Sequence, residues 1–469
     1  MRIAFLHYHL KPGGVTSVIR HQIKALGSGC ETIVISGESA KEGFPAPVYQ
    51  VPGLAYDARG GTGYSPEETV EKIAGCVSSH WKDGCDILHV HNAFLAKNKN
   101  LLNILKELQK RGFKLFLQLH DFAEDGRPGS YFSGNYIKNC HYGVINSRDF
   151  ELLKRAGLQT VGLHKVYNTV IPIPITPSTV KNTPYVLYPV RAIRRKNIGE
   201  AVLLSLFFKN RESLYITLPP NSYDDMKSYR GWKRFTAENN LPVVFDVGIK
   251  GSFSGLVNGC SFILTTSVSE GFGFSFLEPW TAEKYIHGRM IPAICSDFQA
   301  NGVKLGHLYR KINIPIRWIG KDAFYQDWRS AFIKACVLFG AENDQFDLKT
   351  QFDRMTEDGC IDFGILHESF QKIVIKKSMA SRDHKMKLLA LNPFLGQLAV
   401  PGNAEQLIMT NKAAVAAAYS SKVYGENLLL VYGKVKRNTV YHQIDKKKLL
   451  RDFLNPAHFS LLKWSPYER

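Results

Sequence analysis

The chain is short of several things. It has no D-x-D triplet, no C-x-x-C pair, no G-x-G-x-x-G after a first apolar run, and no apolar stretch of the eighteen or so residues that a membrane span requires. The first absence removes the usual carboxylate handle for a metal-bound diphosphate, so no metal site is expected. The second, with eight cysteines and no zinc spacing among them, leaves a reduced thiol set of the cytosolic kind. The third disfavours a nicotinamide dehydrogenase, and the fourth a transmembrane protein. MRIAFLHYHL is too short for the apolar core of a signal sequence and runs directly into a glycine turn, as a first buried strand does. A soluble, cytoplasmic protein is expected.

Acidic residues are scarce as well: 41 Asp plus Glu stand against 60 Lys plus Arg, a formal net charge of +19. That balance favours anionic partners, whether nucleic acid, a lipid surface or small phosphorylated compounds, without choosing among them. The basic knots Arg194-Arg195-Lys196, Lys434 to Arg437 and Lys446-Lys447-Lys448 read as solvated faces. Apolar residues are plentiful: 45% hydrophobic and 22% charged over 469 residues imply well-packed globular structure in two or three domains.

The first third alternates apolar runs with amphipathic segments. IAFLHYHL precedes TSVIRHQIKAL and ETIVIS; DILHVHNAF precedes NLLNILKELQK and KLFLQLHDF. Such repetition implies parallel strands with crossover helices, so residues 1–172 read as a Rossmann-like α/β domain. Residues 173–184 fall in a run with four prolines from Pro172 to Pro184 and read as a linker or hinge. The alternation then restarts with YVLYPV, a helix around IGEAVLLSLFF, LYITLPP, a helix around Lys227 to Glu238, VVFDVG, CSFILTTS and MIPAICSD. Residues 185–420 are thus a second Rossmann-like domain. NKAAVAAAYSSKVYGENLLLVYGKV is the strongest late helical candidate, with Gly425 expected to interrupt or bend it, and 421–469 reads as a helical C-terminal segment.

Chemistry concentrates in SVSEGFGFSFLEPW, where Glu270 and Glu278 are separated by seven uncharged residues after the buried-strand pattern CSFILTTS. Gly271 and Gly273 permit a tight turn and close backbone approach to a ligand. A helix opening near Phe274 would present free N–H groups to a diphosphate, with Glu270 at the strand's carboxyl end and Glu278 about a turn into the helix. Carboxylates on either side of a phosphate-binding turn can each hold the vicinal hydroxyls of a sugar. Taken alone, the two glutamates read equally as surface carboxylates.

Glu270-x7-Glu278 after a strand resembles the signature of the retaining nucleotide-sugar glycosyltransferases of the GT-B type, particularly family 4 (glycosyltransferase group 1). The resemblance covers roughly Met1 to Asp297. It implies two Rossmann-like domains facing a cleft, the first binding acceptor and the second donor, with a late helical segment crossing back to the first. It assigns Glu270 to the donor sugar, Glu278 to the ribose, and the amides of Gly271, Phe272, Gly273 and Phe274 to the diphosphate or sugar. PVRAIRRKN resembles the family's Arg-x4-Lys segment and puts Arg191 and Lys196 on the diphosphate; KPGGVTSVI resembles its Gly-Gly loop, with Gly13 and Gly14 near donor phosphate and acceptor. LQLHDFAEDGRP places His120 near the anomeric carbon, and HVHNAF and Asn146-Ser147 fall where the family has strand ends lining the cleft. Lys11, Asp121, Arg127 and Lys138 are acceptor candidates by position.

The sequence departs from the family pattern at Pro279, which fits only the first turn of a helix, so that helix should start late or kink. EKYIHGRM, Glu283 to Met290, is longer than the family's usual link to the next strand. His120 reads as readily as a satisfied structural residue. His7 with His9, and His89 with His91, project in pairs to one strand face without a third metal ligand at a telling spacing. Arg59-Gly60-Gly61-Thr62-Gly63 lacks the order of a phosphate loop and reads as a surface loop.

The expected activity is metal-independent, retaining transfer of a hexose from a nucleoside diphosphate sugar to an acceptor that is small and acidic or lipid-linked. No cofactor is needed beyond that co-substrate, and no nucleic acid partner is expected. The rival readings are a nucleotide-sugar epimerase or phosphorylase on the same fold, and a basic protein that binds nucleic acid or anionic lipid. Peripheral docking on a membrane stays open, since it needs no span.

Overall fold

The computed structural model describes residues 1–39, 43–57, 63–176, 184–342 and 346–465. The Arg59 to Thr62 part of the glycine-rich stretch and residues 177–183 of the proline-rich linker lie outside them. The chain divides into two compact units, 1–170 with 417–453, and 171–416 with 454–469.

The first unit is built on seven parallel strands: β1 Arg2–His7, β2 Glu31–Ser36, β3 Val48–Gln50, β4 Ile87–His91, β5 Leu115–Leu119, β6 His141–Val144 and β7 Leu163–Lys165, in the order β3-β2-β1-β4-β5-β6-β7. Alternate residues of β1 serve opposite faces, as the two-residue period requires. Ile3 and Phe5 pack with Ile19 and Ile23 of the helix Gly14–Leu26 and with Leu428 and Tyr432 of the helix Ser421–Arg437. Ala4 and Leu6 join Val70, Ile73, Ile104 and Leu105 of the helices Pro66–His80 and Leu101–Lys110. Burial on both faces accounts for the mainly apolar β4 and β5, whose polar members His89, His91 and Gln118 are buried as well. The helix Pro66–His80 begins where its sequence says it should, with Pro66 in the first turn and a reciprocal Ser65/Glu68 capping box.

The second unit carries β8 Tyr185–Arg191, β9 Ser213–Leu218, β10 Val243–Val244, β11 Ile263–Thr265 and β12 Ile286–Gly288, parallel, in the order β10-β9-β8-β11-β12. A small antiparallel pair, β13 Asn313–Pro315 with β14 Cys360–Asp362, stands apart from it.

Several expectations are corrected. The strand after the glutamate motif lies inside EKYIHGRM, as β12, whereas MIPAICSD opens the helix Pro292–Ala300 with Pro292 at its start. The long late helix breaks at Ser420, which caps Ser421–Arg437 through its hydroxyl, and not at Gly425. Gly425 lies within that helix against the backbone of Ala25, where a methyl group would stand 2.3 Å from the carbonyl oxygen. The segment 421–469 is not one body: residues up to Phe453 belong to the first unit and those from Leu454 to the second, where Trp328 donates its indole N–H to Phe459 O and Leu461 and Leu462 are buried. Two basic knots are solvated only in part, each with one buried member. Arg194 is buried against Glu368, and Lys446 is buried on Glu124 among the rings of Tyr131, Phe132 and Tyr136. Buried cations of this kind persist only with a partner.

Candidate functional site

Each sheet has one place where the order of strands reverses direction: between β1 and β4 in the first unit, and between β8 and β11 in the second. Loops leaving the carboxyl ends of such strand pairs diverge and leave a crevice, the usual ligand position in open α/β sheets.

In the second unit the two loops are tied together. Thr266, just past β11, donates its hydroxyl to the carbonyls of Lys196 and Asn197 at 3.0 and 3.1 Å, and Val268 N–H donates to Arg195 O at 3.0 Å. Asn197 takes the left-handed conformation (φ 53°) that turns the chain after a single 3-10 turn, Arg194–Lys196. Lys196 is thereby brought onto Glu270, its ammonium forming a short ion pair with Oε1, while the Arg195 guanidinium stands 3.7 Å from Oε2 and donates to Ser269 O. Burial pushes the Glu270 carboxyl up, yet Lys196 and then Arg195 outweigh it and hold the group below the usual glutamate value. Glu278 has no such partner. Burial raises its carboxyl to about 7, with Lys196 pulling only weakly the other way.

The turn between the glutamates is not the start of a long helix. Phe274–Phe276 is a 3-10 turn, and the helix that follows, Glu278–Thr281, is one turn long with Glu278 as its first residue and Pro279 beside it. Pro279 therefore occupies the early position where its missing N–H costs nothing. Gly273 is left-handed (φ 95°), and a Cβ there would press on the side chains of Phe276 at 3.0 Å and Ile294 at 3.2 Å. Phe272 is buried beside Phe298, which keeps its ring packed in the core. Arg191 does not join the Lys196–Glu270 pair: its guanidinium donates to Pro219 O at 3.0 Å and to Asn221 Oδ1 at 2.5 Å. Sequence reasoning missed Arg195, although it stands within the quoted RRKN.

In the first unit, a cavity of about 310 Å³ opens at the switch point. Gly13, Gly14, Asp121 and Arg127, all singled out from the sequence, line it together with Tyr8, His9, Tyr56, Asn92 and Lys97. Tyr8 stitches the loops together by donating its hydroxyl to Asn92 O and Leu95 O at 3.1 and 2.9 Å. A Cβ on Gly14 would meet nothing within 4 Å, so the loop leaves open space there. Arg127 pairs with Asp121 at 2.8 Å, and Lys97 lies 5.8 Å over the Tyr56 ring. Two cations against one carboxylate make the lining net positive. Tyr56 and Lys97 were missed because each sits in a loop without periodicity.

The other acceptor candidates do not line this cavity. Lys11 is engaged with Glu38 at 2.5 Å, and Lys138 stands 5.7 Å over Tyr441 in a different surface groove. His120 is buried next to Asn92 and Asp121 of the cavity wall, its Nε2 2.9 Å from His91 Nδ1, and its backbone N–H donates to Asn92 Oδ1 at 2.7 Å. Asn146 caps the helix Ser147–Arg155, accepting from Asp149 N. Of the paired histidines, His89 stacks on His91 with centroids 4.4 Å apart, whereas His7 meets both His9 and His91 edge-on. Among the described residues no group of three or more His, Cys, Asp or Glu side chains could hold a metal ion, and no helix is long and apolar enough to cross a membrane.

Two Rossmann-like parallel sheets with helices, one in each unit, are the elements of a GT-B fold. The solved structures agree. Over 92% of this chain and 98% of theirs, sucrose-phosphate synthase from Thermosynechococcus elongatus superposes with a TM-score of 0.53 at 13% identity, and Anabaena HepE in complex with UDP and glucose with 0.52 at 12%. A glycosyltransferase from Rickettsia africae superposes with 0.54 at 12% identity over 93% of this chain and 99% of that one. In sequence, the chain is 27% identical over 392 residues to the mannosylglucosyl-3-phosphoglycerate synthase of Petrotoga mobilis, covering 71% of this chain and 77% of that protein. No protein-family model matches. The chain has the GT-B fold, and its resemblance to the glycosyltransferases of that fold is borne out.

Proposed function

We propose that the protein is a glycosyltransferase that moves a hexose from a nucleoside diphosphate sugar to an acceptor hydroxyl with retention of anomeric configuration. The observation that carries this reading is the Lys196–Glu270 ion pair at the switch point of the second sheet, with Glu270 buried, Lys196 half-buried and Arg195 beside it. A carboxylate held ionised there accepts hydrogen bonds from sugar hydroxyls, and the two cations balance the diphosphate as it leaves. Glu278, the first residue after the turn, takes the ribose hydroxyls, and the backbone amides of Gly271 to Phe274 take phosphate oxygens. Arg191 joins them by exchanging its Pro219 and Asn221 partners for phosphate.

In the step itself, the bond from the anomeric carbon to the diphosphate oxygen breaks while the acceptor oxygen bonds to the same face of that carbon. The acceptor's proton passes to the departing diphosphate. No protein carboxylate needs to act as base and no metal needs to bridge the phosphates, because Lys196 and Arg195 supply the positive charge.

The cavity of the first unit supports an acidic acceptor. Lys97 and Arg127 suit a phosphate or carboxylate, and the Tyr8–Tyr56 ring pair (centroids 5.1 Å apart) suits the face of a sugar. The sequence relative is named for a product that joins two hexoses to 3-phosphoglycerate, and a glycosylated phosphoglycerate combines both features. We place the enzyme in the cytoplasm.

The test is product analysis by proton NMR, without added metal, for a panel of UDP-, GDP- and ADP-sugars with 3-phosphoglycerate, its glucoside and neutral sugars. The expected result is one new glycoside whose anomeric coupling matches the donor's, formed with an acidic acceptor. An inverted product would refute retention, turnover only with inorganic phosphate would make the protein a phosphorylase, and an isomerised donor would make it an epimerase.

A further inference from the structure

The two imidazoles His91 and His120 are joined by a hydrogen bond whose direction can be worked out. His91 ends β4 and His120 follows β5, its parallel neighbour, so the fold itself sets the rings side by side, 11° from parallel. At 2.9 Å from His91 Nδ1 to His120 Nε2, one ring donates and the other accepts.

The far nitrogen of His91 decides which. His91 is fully buried, and its Nε2 has no hydrogen-bond partner. Were His120 the donor, His91 would have to carry its own proton on Nε2, a buried N–H with nothing to accept it. With His91 donating from Nδ1, the unmet group is only a lone pair, and orphaned buried donors are much the rarer of the two. His91 is therefore the Nδ1–H tautomer. His120 accepts at Nε2, so its own proton sits on Nδ1.

The surrounding network is consistent with single-proton rings throughout. Gln118 Oε1 accepts from Gln22 Nε2 at 2.7 Å and from His89 Nε2 at 3.0 Å, so His89 accepts the Tyr432 hydroxyl at Nδ1, at 2.8 Å. His7 donates Nδ1–H to His91 O at 3.3 Å. Burial holds every one of these rings far below the usual histidine value, His7 and His89 at about 3 and His120 at about 4. They are neutral at physiological pH.

We propose that His91 is a positioning residue: it fixes His120 as the Nδ1–H tautomer, so that His120 meets the substrates as a hydrogen-bond donor to an oxygen lone pair and not as a base for the acceptor hydroxyl. The part of this that concerns substrates rests on the glycosyl-transfer reading above; the tautomer does not.

The experiment is a long-range proton–nitrogen correlation spectrum of the full chain with nitrogen-15 imidazole histidine, the His120 signals being identified by their loss in His120→Gln. The wild type should show His120 with protonated Nδ1 and bare Nε2. His91→Leu should lose that pattern towards Nε2–H, and His91→Gln, whose amide can still donate, should keep it. A wild-type His120 protonated on Nε2 overturns the inference without any variant, as does a pattern unchanged in His91→Leu. Nucleoside diphosphate release gives the second readout: kcat falls about tenfold in His91→Leu, the factor for one lost transition-state hydrogen bond, and recovers in His91→Gln. Equal kcat in His91→Leu overturns the mechanistic half. Absence of turnover by the wild type with every donor sinks the glycosyl-transfer reading instead, and the spectra still decide the tautomer.

Discussion

Two glycines of one helix should respond to alanine with opposite signs. Gly425 and Gly433 both lie in Ser421–Arg437, where alanine is favoured over glycine by about 1 kcal/mol. At Gly433 the new methyl would lie 3.5 Å from the tip of the Arg437 side chain, an ordinary contact with a group free to move. Gly433→Ala should thus be stabilising by up to about 1 kcal/mol. At Gly425 the methyl would lie 2.3 Å from the carbonyl oxygen of Ala25 and 3.0 Å from its carbon. A carbon–oxygen contact settles near 3.3 Å or more, so the two helices must part by about 1 Å. Because the obstacle is backbone, the cost lies at the upper end of the range for overpacking, about 3 kcal/mol, and the helix gain reduces it to a net loss of about 2 kcal/mol. Urea denaturation followed by circular dichroism measures both, with wild type as reference. A Gly425→Ala variant as stable as wild type, or more so, would refute the close approach of Ser421–Arg437 to Gly14–Leu26.

Three further outcomes are expected. Lys446→Met leaves the buried Glu124 carboxylate unpaired and should cost about 3–5 kcal/mol in the same assay, most of which returns when Glu124→Gln is added. Glu278 is raised to about 7 in the folded chain, so it stays protonated there while the unfolded chain ionises; its contribution to stability is full below the ordinary glutamate value and is lost as pH rises through about 7. Melting temperatures of Glu278→Gln and wild type should hence diverge, in the variant's favour, between pH 5 and pH 8, and parallel curves would contradict the burial of that carboxyl. Glu270 is shifted the opposite way, so Lys196→Met should destabilise most above the ordinary glutamate range and progressively less as pH falls through Glu270's lowered value; a loss independent of pH would show that the pair carries none of it.

Much of this molecule was legible because its signals are local. The alternation of DILHVHNAF, NLLNILKELQK and KLFLQLHDF announced parallel strands with crossover helices, and β4 and β5 lie where it put them. Lys196 and Glu270 could be matched because each sits a few residues beyond a recognisable strand, and sheet topology carries such positions to one crevice. What escaped depends on distant partners. Arg194 and Lys446 read as solvated until Glu368 and Glu124 are seen to bury with them. Gly425 looked like a helix breaker because its reason for being glycine, the carbonyl of Ala25, belongs to another helix. β12 is three residues long, too short to display a period, and Pro292 was read as part of a strand when it begins a helix. At the site, the misplaced element was the helix expected from Phe274; a 3-10 turn and a single helical turn replace it, because Pro279 fits only an early helical position.

The most direct measurement is release of free nucleoside diphosphate by wild type and Glu270→Ala, over UDP-, GDP- and ADP-sugars, each with and without an acidic sugar acceptor. Release from one donor, stimulated by the acceptor and abolished in a Glu270→Ala protein that remains folded, is the predicted result. Release that is undiminished in Glu270→Ala, or no release with any donor, would contradict it.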